Sequence, residues 1–223
     1  MKTVGVLGGI TWHSAAEYYR LLNTEVAART AGEHAARCVL FSVDIGVIDP
    51  LMFAQRWDDA GALIAADAQR VEAAGADVFL LACNTLHTVW ETVVAGLTIP
   101  AIHIGDAAAD ALAGHRRVGF LATPWTMELP FLRDHLTSHG FDVVLPAEAD
   151  RAEIARTLFD ELSHGIVRDE TRRWYVDLIR RMAADVVLLA CTELGLLLSQ
   201  DDVEVPLVDT AQAHVRAAVD YAL

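Results

Sequence analysis

Asp77-Val78-Phe79-Leu80-Leu81-Ala82-Cys83-Asn84-Thr85-Leu86-His87 returns later in the chain as Asp185-Val186-Val187-Leu188-Leu189-Ala190-Cys191-Thr192-Glu193-Leu194-Gly195. The two copies agree at Asp, Val, Leu, Leu, Ala, Cys and Leu. Cys83 and Cys191 stand 108 residues apart in a chain of 223, so each half delivers one thiol. Each copy is an apolar run of strand length, the pattern of a parallel strand buried on both faces. Each ends on a cysteine followed by polar residues that start the next helix.

Outward from these stretches, strands and helices alternate. Thr3–Leu7 reads as a strand, Gly8-Gly9 as a turn, and Ala15–Arg29 as a helix with Ser14 as N-cap and Glu17 completing a capping box. Strand, glycine turn and helix start together form an anion-binding corner, with an empty βα turn as the alternative. The glycines do not follow GxGxxG and there is no P-loop lysine, which argues against nucleotide binding. Arg37–Ile45 reads as a strand in which Cys38 is a packed small residue. The stretch from Ile48 to Asp58 reads as a loop or short helix broken at Asp49-Pro50. Its only cation, Arg56, is read as a solvated surface residue, with a carboxylate anchor as the alternative.

Asp59–Ala74 has helical spacing and stops at Gly75. Asn84 and Thr85 are expected to cap a helix running to Val94, and Ile99–Ile104 supplies a further strand. The second half repeats this grammar. Arg117-Val118-Gly119-Phe120-Leu121-Ala122-Thr123-Pro124-Trp125-Thr126 echoes Thr3 to Trp12, which makes Thr123 and Thr126 candidate substrate contacts. Phe141–Leu145 is expected as a strand, Ala152–Ser163 and Asp169–Met182 as helices. Val205-Pro206-Leu207-Val208 resembles Ile99-Pro100-Ala101-Ile102, and the helix Thr210–Ala222 closes the chain. The expected class is α/β with doubly wound parallel sheets. The expected domains are residues 1–105 with 209–223, carrying Cys83, and 106–208, carrying Cys191.

Composition narrows the function. A formal charge of −14, from 31 acidic and 17 basic residues, argues against a nucleic-acid partner. No apolar run reaches the roughly 18 residues of a membrane span, and the start lacks a signal peptide's long apolar region. A cytoplasmic location is expected. Three cysteines without CxxC indicate neither a disulfide framework nor a zinc cluster. No metal or other cofactor is called for, and no lysine stands near either cysteine motif.

In open α/β sheets ligands bind at the carboxyl ends of the strands. If the halves face one another about a pseudo-twofold axis, two thiols reach one carbon from opposite sides. One thiolate then removes a proton that the other thiol replaces. A helix N-terminus or a cation favours the thiolate, and a base titrating near the working pH is the most effective. Asn84, Thr85 and Thr192 can hydrogen-bond a substrate carboxylate and stabilise the charge that develops on it. Glu193 can accept from an ammonium or orient Cys191.

The motifs Ala82-Cys83-Asn84-Thr85-Leu86-His87 and Ala190-Cys191-Thr192-Glu193-Leu194 resemble the paired signatures of the cofactor-independent aspartate/glutamate racemase family. Leu7-Gly8-Gly9-Ile10-Thr11-Trp12-His13-Ser14, Ser42-Val43-Asp44 and Val208-Asp209-Thr210 fit it too, so the resemblance spans nearly the whole chain. It implies two flavodoxin-like domains with the site in the cleft between them, a homodimer, and racemisation without pyridoxal phosphate. It places the acid–base roles on Cys83 and Cys191. Substrate recognition falls on Asn84, Thr85, Thr192 and the loop holding Thr11, Trp12 and Ser14. Relatives often carry a polar residue around Met52 and a lysine near His164, where side-chain carboxylates are held. Met52 and His164 at those places make a less acidic amino acid credible. The alternatives are a hydantoin racemase, a maleate isomerase or an arylmalonate decarboxylase. A carboxylate-binding or redox-responsive protein that joins its two thiols is the reading without catalysis.

Overall fold

A computed structural model describes all residues, Met1–Leu223, as two compact units, one of Met1–Ile104 with Ala211–Leu223 and one of Gly105–Thr210. The first holds β1 (Val4–Gly8), α1 (Trp12–Arg29), β2 (Cys38–Ser42), α2 (Ile45–Phe53), α3 (Trp57–Ala73) and β3 (Val78–Leu81). A 3₁₀ turn (Thr85–Val89), α4 (Trp90–Val94) and β4 (Ala101–Ile102) follow. After α5 (Ile104–Ala111) the second unit runs through β5 (Arg117–Ala122), α6 (Pro124–Glu128), α7 (Pro130–Ser138), β6 (Asp142–Val144) and α8 (Glu148–Asp160). It continues with α9 (Asp169–Met182), β7 (Val186–Ala190), α10 (Leu194–Leu197) and β8 (Leu207–Asp209), and α11 (Thr210–Ala222) ends the chain.

Each unit carries a four-stranded sheet in which every pairing is parallel, ordered β2-β1-β3-β4 and β6-β5-β7-β8. β3 and β7, the strands of the repeated motif, are buried along their whole length because helices cover both faces. β1 aligns Val4 with Val78 and Leu7 with Leu81, and β5 aligns Val118 with Val186 and Ala122 with Ala190. In the first unit Val4, Val6, Val78 and Leu80 pack with Tyr18, Leu22 and Val26 of α1 and with Ala211, Val215, Ala218 and Val219 of α11. In the second, Phe120, Leu188 and Tyr175 anchor the larger cluster.

Gly5 is required by packing. A Cβ there would lie 2.4 Å from Val71 Cγ1 and 2.6 Å from Ala76 Cβ, so only glycine lets α3 approach the central strand this closely. Gly119 holds the matching place, with Val187, Ala184 and Met182 all within 3.2 Å of its missing Cβ.

Several sequence expectations change in detail. α1 starts at Trp12, with Thr11 rather than Ser14 as its cap, because the Thr11 hydroxyl reaches the Ser14 amide. Pro50 does not break the chain, for α2 passes through it. Pro50 has no amide to offer the Gly46 carbonyl four residues back, and Gly46 is exposed. Asn84 makes no capping bond, and the tight 3₁₀ turn replaces the first part of the expected helix. The helix placed at 152–163 spans Glu148–Asp160, followed by a 3₁₀ turn at Leu162–His164. No helix is long and apolar enough to cross a membrane.

Candidate functional site

The strand order decides where the candidate residues gather. β1 and β3 are hydrogen-bonded neighbours, and the chain leaves them toward opposite sides of the sheet, which makes their carboxyl ends a topological switch point. The segments leaving those ends are Gly9–Ser14 and Cys83–His87. In the second unit β5 and β7 stand in the same relation, and the segments leaving them are Thr123–Thr126 and Cys191–Glu193. Each unit therefore builds one cluster from a threonine-capped helix start and a cysteine.

The helix starts repeat in detail. Thr11 Oγ1 accepts from the Ser14 amide at 3.2 Å and meets Ser14 Oγ at 3.0 Å. Thr123 Oγ1 accepts from the Thr126 amide at 3.2 Å and donates to Thr126 Oγ1 at 3.0 Å. Both are N-caps that satisfy one orphan helix donor. Ser14 and Thr126 are buried beneath them. Trp12 is exposed, with its ring centroid 3.8 Å from that of His13.

Around Cys83 the backbone turns sharply, since its own amide donates to Leu81 O at 2.9 Å. In an α-helix the His87 amide would bond the Cys83 carbonyl. In the tighter 3₁₀ turn it bonds Asn84 O instead, at 3.1 Å. The His87 ring takes the vacated place, with Nδ1 2.8 Å from Cys83 O. Its Nε2 accepts from the Ile104 amide at 3.2 Å. A backbone amide can only donate, so Nδ1 carries the proton and the ring is neutral in one tautomer. Trp90 stacks on that ring at 4.9 Å. His87 thus fixes the peptide that follows Cys83, a role sequence reasoning missed although the residue stood in the motif. The four-residue spacing was the available signal. Cys83 is partly exposed, whereas Asn84 and Thr85 are buried beside it.

The second cysteine is held differently. Cys191 is buried, and its Sγ donates to Glu193 Oε2 at 3.1 Å. Thr192 Oγ1 donates to the same oxygen at 2.9 Å. Thr192 and Glu193 are also buried. Cys191, Thr192 and Glu193 therefore form one hydrogen-bonded group.

Two further candidates lie on other elements. Met52 is buried on α2, and His164 ends the 3₁₀ turn after α8, exposed to solvent. No hydrogen bond joins either side chain to a cysteine motif. Arg56 is exposed and paired with Asp59 at 2.7 Å, in keeping with its bland reading. Cys38 is half-buried in β2, and burial pushes its thiol pKa up, in keeping with a packing role.

Comparison with known proteins follows the same lines. Residues 7–218 match the family model described as Asp/Glu/Hydantoin racemase. The chain is 36% identical to a candidate Asp/Glu racemase from Yersinia pestis, with a TM-score of 0.89, covering 100% of this chain and 99% of that one. It is 29% identical to an aspartate racemase homologue from Pyrococcus horikoshii OT3, with a TM-score of 0.84 and the same coverage of both chains. It also resembles the broad specificity amino-acid racemase RacX of Bacillus subtilis (strain 168), at 23% identity over 155 residues, 68% of this chain and 67% of that protein.

Proposed function

Because the chain belongs to the Asp/Glu/Hydantoin racemase family, we propose that it is an amino-acid racemase that inverts Cα by moving protons between Cys83 and Cys191. The observation that carries the reading is the twin placement of the thiols, each after a central strand of identically ordered sheets and each beside a threonine-capped helix start.

In the proposed step a thiolate takes the Cα proton. The C–H bond breaks, an S–H bond forms, and the electron pair left on Cα spreads onto the substrate carboxylate. The second thiol then gives its proton to Cα from the other side and becomes the thiolate. Hydrogen bonds to the carboxylate from Asn84, Thr85 and the backbone amide of Thr192, whose hydroxyl is engaged by Glu193, strengthen as charge accumulates there, which lowers the barrier rather than merely binding substrate. His87 serves this step indirectly, by holding the peptide after Cys83. The substrate is proposed as an amino acid of broad side-chain type. Neither buried Met52 nor the exposed imidazole of His164 offers the fixed cation that a second carboxylate favours.

Purified protein incubated with single enantiomers of acidic, polar and apolar amino acids, and with a hydantoin, tests this by chiral chromatography. The expected result is racemisation of at least one class, reduced by about a hundredfold or more in both Cys83→Ala and Cys191→Ala. Unchanged chirality across the panel overturns the racemase reading. Full turnover in one of the two variants overturns the two-thiol step and favours single-thiol chemistry such as decarboxylation.

A further inference from the structure

The two cysteines occupy matching places, yet their neighbours differ. The position two residues beyond Cys191 is Glu193, and the position two residues beyond Cys83 is Thr85. Glu193 Oε2 receives both the Cys191 thiol, at 3.1 Å, and the Thr192 hydroxyl, at 2.9 Å. An oxygen that accepts from two donors carries no proton of its own, and a carboxylate oxygen can only accept. An acceptor at that distance needs a proton on sulfur, and a thiolate there would meet a like charge in a buried site. Among the other ionisable groups of this unit coupled to the thiol, Tyr175 on α9 is kept neutral by burial and donates no compensating charge. Glu161, which faces Tyr175, is already paired with Arg156 and Thr171.

We infer that Glu193 is a positioning residue that sets the resting protonation of the pair, with Cys191 as the proton-bearing acid and Cys83 as the base. The inference rests on the racemase reading above and adds a direction to it. Two groups whose surroundings push their ionisation apart take opposite acid–base roles. Turnover that starts at Cys83 moves its Cα proton onto Cys83 and the Cys191 proton onto carbon. It leaves a thiolate beside Glu193, the less stable form of the free enzyme. Enantiomers are equal in free energy, so kcat/KM is the same in both directions. The asymmetry appears instead in the pH at which each thiol ionises.

Alkylation by iodoacetamide across a pH series, with the modified cysteines resolved by peptide mass, reads each thiol separately. In the natural protein Cys191 is expected to have its alkylation midpoint at higher pH than Cys83. In Glu193→Gln, which keeps size and an acceptor but removes the charge, the Cys191 midpoint falls by roughly one pH unit while that of Cys83 stays. The alkaline limb of kcat/KM moves down by a similar amount, which loss of packing alone does not produce. Equal midpoints in the natural protein, or an unmoved Cys191 midpoint in Glu193→Gln, overturn the assignment even if the protein racemises amino acids. Alkylation needs no turnover, so a shifted midpoint in a protein inert toward every substrate supports the role of Glu193 and sinks only the racemase reading.

Discussion

His214 lies wholly inside the first unit, with both ring nitrogens engaged. Tyr18 Oη lies 3.0 Å from Nδ1, and Nε2 lies 2.8 Å from Ile102 O. A carbonyl can only accept, so Nε2 carries the proton and the Tyr18 hydroxyl donates to Nδ1. Burial pushes the imidazole down to about 4, against the Ile102 carbonyl, which favours the proton, and with His103 adding to the fall. The unfolded chain takes up this proton near pH 6.5, so the folded state binds fewer protons between the two values. The contribution of neutral His214 is therefore complete above about pH 6.5 and is lost as pH falls toward about 4. It amounts to something on the order of 3 kcal/mol. His214→Gln keeps a donor for Ile102 and cannot titrate. Urea denaturation at pH 7 and pH 4.5 is expected to show a smaller acid loss in the variant than in the natural protein. Equal losses contradict the assignment. None of this was legible in the sequence, where residue 214 is one histidine in an apolar helix. The contacts of His87 and Glu193 were not legible either, because spacing put both residues near the cysteines but could not show which atoms meet.

At the scale of elements the repeat was the most readable feature, and its physical content is a set of duplicated contacts. Asp77 Oδ2 accepts from the Thr3 amide at 2.6 Å, and its own amide returns a bond to Thr3 O at 2.8 Å. Asp185 treats Arg117 in the same way, at 2.9 Å and 2.8 Å. Each aspartate clamps the first residues of the central strand to its neighbour, which explains why it opens both copies of the motif. Thr3 is buried and Arg117 is exposed, so the two clamps differ in energy. Asp77→Ala is expected to cost about 1–3 kcal/mol, and Asp185→Ala less than about 1 kcal/mol, because only the first leaves a buried donor unmade. Paired urea midpoints check this, and equal shifts contradict it. The strand around Pro100 was overread. Ile99–Ile104 shrinks to Ala101–Ile102 because the amide of Ile104 turns away to His87. Pro100 contributes only its carbonyl, to the Phe79 amide, as Pro206 does to Val187. Periodicity reports which face is buried. It is silent on a backbone bond captured by a side chain.

For the whole molecule, a chain of 223 residues with a net charge of −14 builds two units with the same strand order around the same pair of glycine-bearing central strands. Two α/β units with parallel sheets followed from internal similarity and alternating elements, whereas the order of the strands is seen only in the structure. The proposed chemistry rests on less, a cysteine at each strand end. The central claim is that two thiols share one inversion, and the isotopic fate of Cα tests it most directly. An accepted single-enantiomer substrate is incubated in heavy water and stopped at low conversion, and deuterium at Cα is measured by NMR in product and recovered substrate separately. With two groups the proton removed and the one delivered come from different thiols, so product carries deuterium while recovered substrate stays protiated. Equal deuterium in both means one group removes and returns the proton, and contradicts the account.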